Sequence, residues 1–478
     1  MRVGIKRLTV GSVALCSVMA LTVAVQAPAD AFGTVDGKVK QHAEHERITR
    51  VLGEHAQDGG GIRFQNKVLD LLAGEKGTLG AVGAPDRADD SDWRPIYGLG
   101  PGYKHCDDAD YLPTANYPQS KHKAHDELDR CIEHFDRQLD RAVKRAGELV
   151  SSNGKLNERE NDISNCSFGW KPNLKQPAKC EVLNGLGRAL HLSEDFWSHS
   201  NWADEAANRP TGTKNPPGLN RTDIPDFLRY PVPKNYKIPD GLITGCDDSV
   251  TEFGCKGRVN HSVLAKDTGL IDPDTGVTEI AKNNKYPRGA VKQNFQKAVT
   301  GARLQARTTW SDLQNEIVKH YGNERGQKIV HAIVTNAPWS GCDVVAGGAT
   351  RALAPPSDSV KSARSFRVTV LNETGEPLSC TVARLSSGEW TNMPEAKIAG
   401  SGRSHLRSQS HGLATGTEGE VMYRIGATGP RNELIVKWNN PYLGGNDFSC
   451  KVPSGYECKR SGSIKGLDAD VTVTISKV

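Results

Sequence analysis

The chain changes texture once, and that break limits its possible folds more than any single residue does. Up to about residue 340, apolar side chains recur at three- and four-residue spacings. Ala124, Leu128, Cys131, Phe135, Leu139, Ala142, Ala146 and Leu149 lie within 122–150, and Phe295, Ala298, Ala302, Trp310, Leu313 and Ile317 within 291–321. A further pattern covers 182–200. After a Gly-, Ala- and Pro-rich stretch at 346–357 the period shortens, with alternating or β-branched runs at 366–370, 421–425, 434–438 and 471–475. One period belongs to helices and the other to strands. The reading is therefore a multidomain α + β chain. A mainly helical domain at 32–344 carries long loops at 206–240 and 268–288, a linker spans 345–364, and a small all-β sandwich fills 365–478.

Apolar residues make up 37% of the 478 and charged residues 24%, enough to bury a core and too apolar for wholesale disorder. The net charge of +5 comes from 61 basic and 56 acidic residues, a balance too even to announce a nucleic-acid binder, and a weak preference for anionic surfaces stays open. Residues 1–31 read as a signal peptide. Arg2, Lys6 and Arg7 precede an uncharged apolar run, and Ala29 and Ala31 flank a cleavage-type site. No later stretch is apolar enough to span a bilayer. Of eleven cysteines, ten lie beyond this leader, an even number that suits disulfides in an exported chain. Neighbours in sequence suggest Cys106 with Cys131, Cys166 with Cys180 and Cys246 with Cys255, leaving Cys342, Cys380, Cys450 and Cys458 unassigned. Secretion to the extracellular space is the expected localisation.

The segment GRALHLSEDFWSHSNWAD at 187–204 carries the strongest chemical signal. At about 100° per residue, His191, Asp195 and His199 fall on one helix face. Imidazole nitrogens with a carboxylate are what Zn²⁺ takes in catalytic sites. Other candidate ligands form a spaced series: His42, His45 and Glu46; Asp86 after a Gly-Ala-Pro turn; His105 in HCDDAD; and His261 in RVNHSVLAKD.

That order resembles the zinc-dependent phospholipases C and the related fungal zinc nucleases. The wording of HAEHERITR (42–50), GAVGAPD (80–86), HCDDADYL (105–112) and 191–204 is closer to the secreted actinobacterial CinY proteins, and more distantly to Het-C proteins. The resemblance covers about 32–335. It implies one to three Zn²⁺ ions held by Phe32 (through the α-amine of a chain cleaved after Ala31), His45, Asp86, His105, His191, Asp195, His199 and His261. It also implies that Asp86 could orient the attacking water. In those phospholipases an acidic residue follows the last metal-binding histidine by four positions, where this chain has Ala265. Asp267, Asp204 or Glu205 is left to take that place, and Asp204 is retained as a candidate ligand.

Residues 365–478 resemble the aegerolysins, small secreted lipid-binding sandwiches, through SQSHG (408–412), TGTEG (415–419) and WNNP (438–441). Trp438, Tyr442 and Trp390 are the candidate lipid contacts, since their rings combine an apolar body with a polar edge. The expected partner is a phospholipid or sphingolipid surface. The expected function is a secreted zinc-dependent phosphoester hydrolase of phospholipids. A secreted nuclease with the same site, and a non-enzymatic membrane-permeabilising protein with structural zinc, are the alternatives.

Overall fold

The computed structural model describes residues 32–34, 42–53, 63–75, 78–86, 102–168, 176–247, 254–280, 287–336, 343–346, 364–395, 397–410, 415–426 and 433–478. The signal-peptide assignment, Cys342 and most of the assigned linker lie outside them. Nine α-helices occur among the described residues: α1 Glu44–Thr49, α2 Asn66–Ala73, α3 Lys121–Ala146, α4 Glu158–Asn161, α5 Ala178–His199, α6 His261–Leu264, α7 Pro287–Ala290, α8 Asn294–Tyr321 and α9 Asn323–Val334. Two short strands, β1 Gly269–Ile271 and β2 Thr278–Ile280, pair as an antiparallel hairpin inside a segment expected to be loop.

α5 organises the helical part. All its residues except Glu181 are buried, so it is a central helix and not an amphipathic surface one. α3 and α8 both pack against it. α3 starts where the Ser120 hydroxyl accepts the Lys123 amide at 3.1 Å, an N-cap, and buries Leu128, Phe135, Leu139 and Ala142 at helical spacing. Glycines allow the close approaches. A Cβ on Gly301 of α8 would lie 2.1 Å from the Trp197 ring, and one on Gly187 would lie 2.5 Å from the Ala81 carbonyl carbon. The second approach brings the 79–86 turn, which ends at Asp86, against α5 one turn before His191.

The C-terminal part is all-β. Its strands are β3 Asp343–Ala346, β4 Ser365–Glu373, β5 Leu378–Ser387, β6 Glu389–Asn392, β7 Lys397–Ile398, β8 Arg403–Gln409, β9 Thr417–Ile425, β10 Glu433–Asn440, β11 Asp447–Lys451, β12 Tyr456–Ser463 and β13 Asp468–Lys477. One sheet runs β11-β10-β9-β5-β3 with β7 on β5, the other β12-β13-β4-β8-β6. The β13–β4 and β3–β5 pairs are parallel, and Asp343 stands opposite Val382. Residues 343–346 thus extend the sandwich rather than close the helical domain or begin a linker. Val368 and Val370, Leu434 and Val436, and Val471 and Val473 are buried at alternate positions.

Disulfides join Cys106–Cys131, Cys166–Cys180, Cys246–Cys255 and Cys450–Cys458, and Cys380 is disulfide-bonded as well. They suit an oxidising environment. No helix among the described residues is long and apolar enough to cross a membrane.

Candidate metal centre

His191, Asp195 and His199 share one face of α5, as their spacing requires, and five other segments bring side chains to that face. α1 contributes His45. The 79–86 turn ends in Asp86. The strip after a short 3₁₀ turn at Gly102–Lys104 provides His105 and Asp107, α6 opens on His261, and Asp267 follows it three residues past the helix end.

The Asp195 carboxylate sits where two clusters meet. Its Oδ2 lies 2.7 Å from His105 Nδ1 and 3.1 Å from His191 Nε2. Its Oδ1 lies 3.1 Å from His45 Nε2 and 3.8 Å from His199 Nε2. Asp86 Oδ1 completes the first cluster, 3.4 Å from His191 Nε2 and 3.9 Å from His105 Nδ1. In the second, Asp107 stands 3.4 Å from His199 Nδ1 and 3.2 Å from His261 Nδ1, and Asp267 stands 3.3 Å from His199 Nε2 and 3.4 Å from His261 Nε2.

This arrangement fits metal ions. Donors bound tetrahedrally at about 2.0–2.2 Å lie roughly 3.3–3.6 Å apart, close to the spacings here. Among the described residues, His45 Nε2, both Asp86 oxygens, Asp195 Oδ1, both His199 nitrogens and Asp267 Oδ2 are buried without a well-aligned hydrogen bond. Orphaned atoms of that kind are costly unless something else satisfies them. Three groups have ligand-like spacing: His45, His191 and Asp195; Asp86, His105 and His191; and Asp107, His199 and His261. A fourth, Asp108 with Cys246 and Cys255, offers no thiolates, because those cysteines are bonded to each other.

Electrostatics point the same way. Burial alone would raise Asp195, but His191, His45 and His199 outweigh it and hold the carboxyl well below its usual range. Burial and His261 both lower His199, yet Asp107, Asp267 and Asp195 lift it to about 9. The carboxylates draw positive charge into a buried site, and bound cations would meet that demand in place of imidazole protons.

Further side chains fix the candidate ligands. His45 Nδ1 and Glu194 Oε2 are hydrogen-bonded at 2.6 Å, with the carboxylate oxygen accepting, which leaves Nε2 toward Asp195, and Glu194 Oε1 accepts the Thr49 hydroxyl at 2.8 Å. Ser198 donates to Asp267. Buried Glu44 accepts the amides of Gly33, His42 and Gly269, each at 3.0 Å, tying the first segment to the Asp267 region. Phe32 is fully buried with its ring edge-on to His45 at 6.0 Å, so the first described residue lies beside the first cluster.

Several expectations need correction. Asp204 is not at the centre: Arg288 grips both its oxygens at 2.8 and 3.1 Å, and Lys266 stands at 3.3 Å. Glu205 pairs with Lys292 and Lys297, which leaves Asp267 as the acid beyond His261. Glu46 bonds Arg50. Asp107, Glu194 and Glu44 join the site only in the fold, although Asp107 stands in the HCDDAD run beside His105. In the sandwich, Trp438 is 2% exposed and donates to Ser408 at 2.9 Å, and Trp390 is 6% exposed with its ring against Trp438. Both are core residues. Of the three proposed lipid contacts only Tyr442 reaches the surface, at 43%.

The fold and site together define a mixed α and β chain with a buried histidine–aspartate centre. No protein-family model matches it. An uncharacterized protein of Dictyostelium discoideum is 26% identical over 145 residues, which cover 29% of this chain and 12% of that protein's length. Among solved structures, IP-1A from Alcaligenes faecalis is similar at 16% identity and a TM-score of 0.21, covering 24% of this chain and 92% of its own. The lipid binding protein Nakanori is similar at 15% identity and a TM-score of 0.21, covering 24% and 72%.

Proposed function

We propose that this chain is a secreted zinc-dependent phosphoester hydrolase of the phospholipase C type, acting on phospholipids and carried to the lipid surface by its β-sandwich. The reading follows the resemblance to zinc phospholipases C, CinY and aegerolysin proteins. One observation carries it: two His/Asp clusters adjoin at Asp195, whose Oδ1 lies 3.1 Å from His45 Nε2 and 3.8 Å from His199 Nε2, a pattern suited to clustered Zn²⁺ ions acting on one phosphoryl group. His45, Asp86, His105, His191 and Asp195 would hold the first cluster's metal, and Asp107, His199, His261 and Asp267 the second's. Zinc in such a site lowers the pKa of bound water and stabilises negative charge on phosphoryl oxygens. The chain's own residues do the rest. Asp86 orients the attacking water with a carboxylate that no donor among the described residues hydrogen-bonds. Glu194 keeps His45 in the tautomer that presents Nε2. The ligand side chains retain slight exposure at His105 and His261, the side from which a head group would approach.

Lipid recognition falls to the loop tip beside β10. Leu443 is 83% exposed, Leu467 58% and Tyr442 43%. The Asn446 amide donates to the Ile464 and Gly466 carbonyls at 2.6 and 3.0 Å, and Arg364 donates to the Tyr442 carbonyl at 2.9 Å, so both loops are held with their apolar side chains outward. The test uses the full chain and a chromogenic phosphocholine ester, with a nucleic-acid digestion alongside. Hydrolysis of the ester and bound zinc, both sharply reduced in His191→Ala, is the expected result. Cleavage of nucleic acid alone would move the reading to a nuclease. Bound metal with neither activity would make the centre structural.

A further inference from the structure

Cys106 stands between two ligand-directed side chains that serve different clusters. His105 turns to Asp195, His191 and Asp86, whereas Asp107 turns to His199 and His261. The backbone of Cys106 has φ of 54°, in the left-handed region. A non-glycine residue keeps that conformation only where its surroundings fix it. What fixes it includes the disulfide to Cys131 on α3, together with Gly102, whose carbonyl accepts the amides of both His105 and Asp107 at 3.0 Å. The crosslink therefore sits at the point where the two clusters are held in register.

The Cys246–Cys255 disulfide acts on the same strip from the other side. Cys246 donates its amide to the Val259 carbonyl at 2.7 Å and accepts the His261 amide at 2.8 Å. Asp108 donates its amide to the Gly245 carbonyl at 2.8 Å, and its carboxylate accepts the Asp247 amide at 3.2 Å. The 102–108 strip and the 245–247 strip are thus bonded together, each with its own disulfide, and between them they place His105, Asp107 and His261. The other two described disulfides lie elsewhere. Cys166–Cys180 is near the N-terminal end of α5, and Cys450–Cys458 is in the sandwich.

We propose that Cys106–Cys131 and Cys246–Cys255 are positioning elements of the metal centre, so that the chain takes up its full metal complement only after both have formed. The inference rests on the reading that the two clusters bind metal. Each bond forms when two thiols lose two protons and two electrons to a disulfide-bearing oxidant, which is itself reduced to a dithiol by exchange. Until then the segments carrying His105, Asp107 and His261 lack the crosslinks that hold them in register. An exported chain would therefore remain metal-poor, and inactive, until it reaches an oxidising compartment.

The test compares full-length oxidised protein with C106S/C131S, C246S/C255S and, as control, C166S/C180S. Zn²⁺ per chain is read by elemental analysis, affinity by competition with a chromophoric chelator, and helix content by circular dichroism. The control should bind as the wild type does, and the other two should lose at least tenfold in affinity while keeping their helices. Should either fail to fold, wild-type protein is opened stepwise with a phosphine reductant, and mass spectrometry assigns the broken bond. Metal release should then accompany opening of the 106–131 or 246–255 bond and not the 166–180 bond. Undiminished affinity in C106S/C131S, or metal retained after both bonds open, overturns the inference. An oxidised wild type that binds no metal overturns the metal reading itself.

Discussion

Neighbouring acids in this chain meet very different fates, and the difference lies in what faces each of them. Asp195 lies among histidines and Asp204 beneath the guanidinium of Arg288, though both are fully buried in one stretch of chain. Glu194 shows how a residue next to a ligand can matter without being one. Glu194→Gln keeps an oxygen for His45 but loses the charge that favours its Nδ1 proton. Zinc affinity should fall roughly 10- to 100-fold, the usual cost of losing such a partner, with little change in helix content. Competition with a chelator would measure it, and wild-type affinity would remove Glu194 from the site. Lys179 offers a prediction away from the histidine–aspartate centre. Burial pushes its ammonium down to about 7, and its only described bond goes to the Thr335 carbonyl. Such a shift corresponds to about 4–5 kcal/mol, and the donor lost in Lys179→Met returns about 1–3 kcal/mol, so the variant should gain about 2 kcal/mol at pH 7. Between pH 7 and about 10.4 the unfolded chain keeps this proton and the folded chain does not. Wild-type stability therefore rises with pH across that window, and the variant's advantage should shrink. Denaturant midpoints at pH 7 and 9.5 would show it, and an equal gain at both would refute the buried-amine account.

At the scale of elements, the site depends on how closely backbones approach α5. His191, Asp195 and His199 need only a helix, but Asp86 needs its turn pressed against Gly187. In Gly187→Ala the new methyl would meet the Ala81 backbone, with no flexible side chain to move aside. The variant should lose about 1–3 kcal/mol, as overpacked sites do, and Asp86 should withdraw from His191. Thermal melts combined with metal analysis would detect both effects. Wild-type stability and metal content together would mean that the contact relaxes freely.

Across the whole molecule, the histidine–aspartate centre lies in the helical part and the most exposed apolar loop side chain, Leu443, in the sandwich, so the two can be tested separately. Leu443→Glu with Leu467→Glu places two charges on the sandwich loop tip, far in sequence from any ligand. Co-sedimentation with phosphatidylcholine–sphingomyelin vesicles should fall at least tenfold, while zinc content and hydrolysis of a soluble ester stay unchanged. Undiminished vesicle binding would shift the lipid role away from this tip, and lost zinc would show that the two parts are not independent.

The amino-acid order by itself settled what depends on local period and spacing. Helices at 121–146, 178–199 and 294–321, strands within β4, β9, β10 and β13 and the shared face of His191, Asp195 and His199 all follow from side chains a few positions apart, and three disulfide pairs follow from cysteines that are neighbours in the cysteine order. β12 was hidden because an edge strand reading YECKRSGS has no apolar alternation to reveal it. Tertiary structure decided the rest. It chose Asp267 over Asp204 and Glu205, brought in Asp107 and Glu194, buried Trp438 and Trp390, and left Leu443 outside. Each of those outcomes depends on what lies opposite a side chain across a distance of tens to hundreds of residues. Burial and charge pairing between segments set that, and neither is a property of any short stretch of sequence.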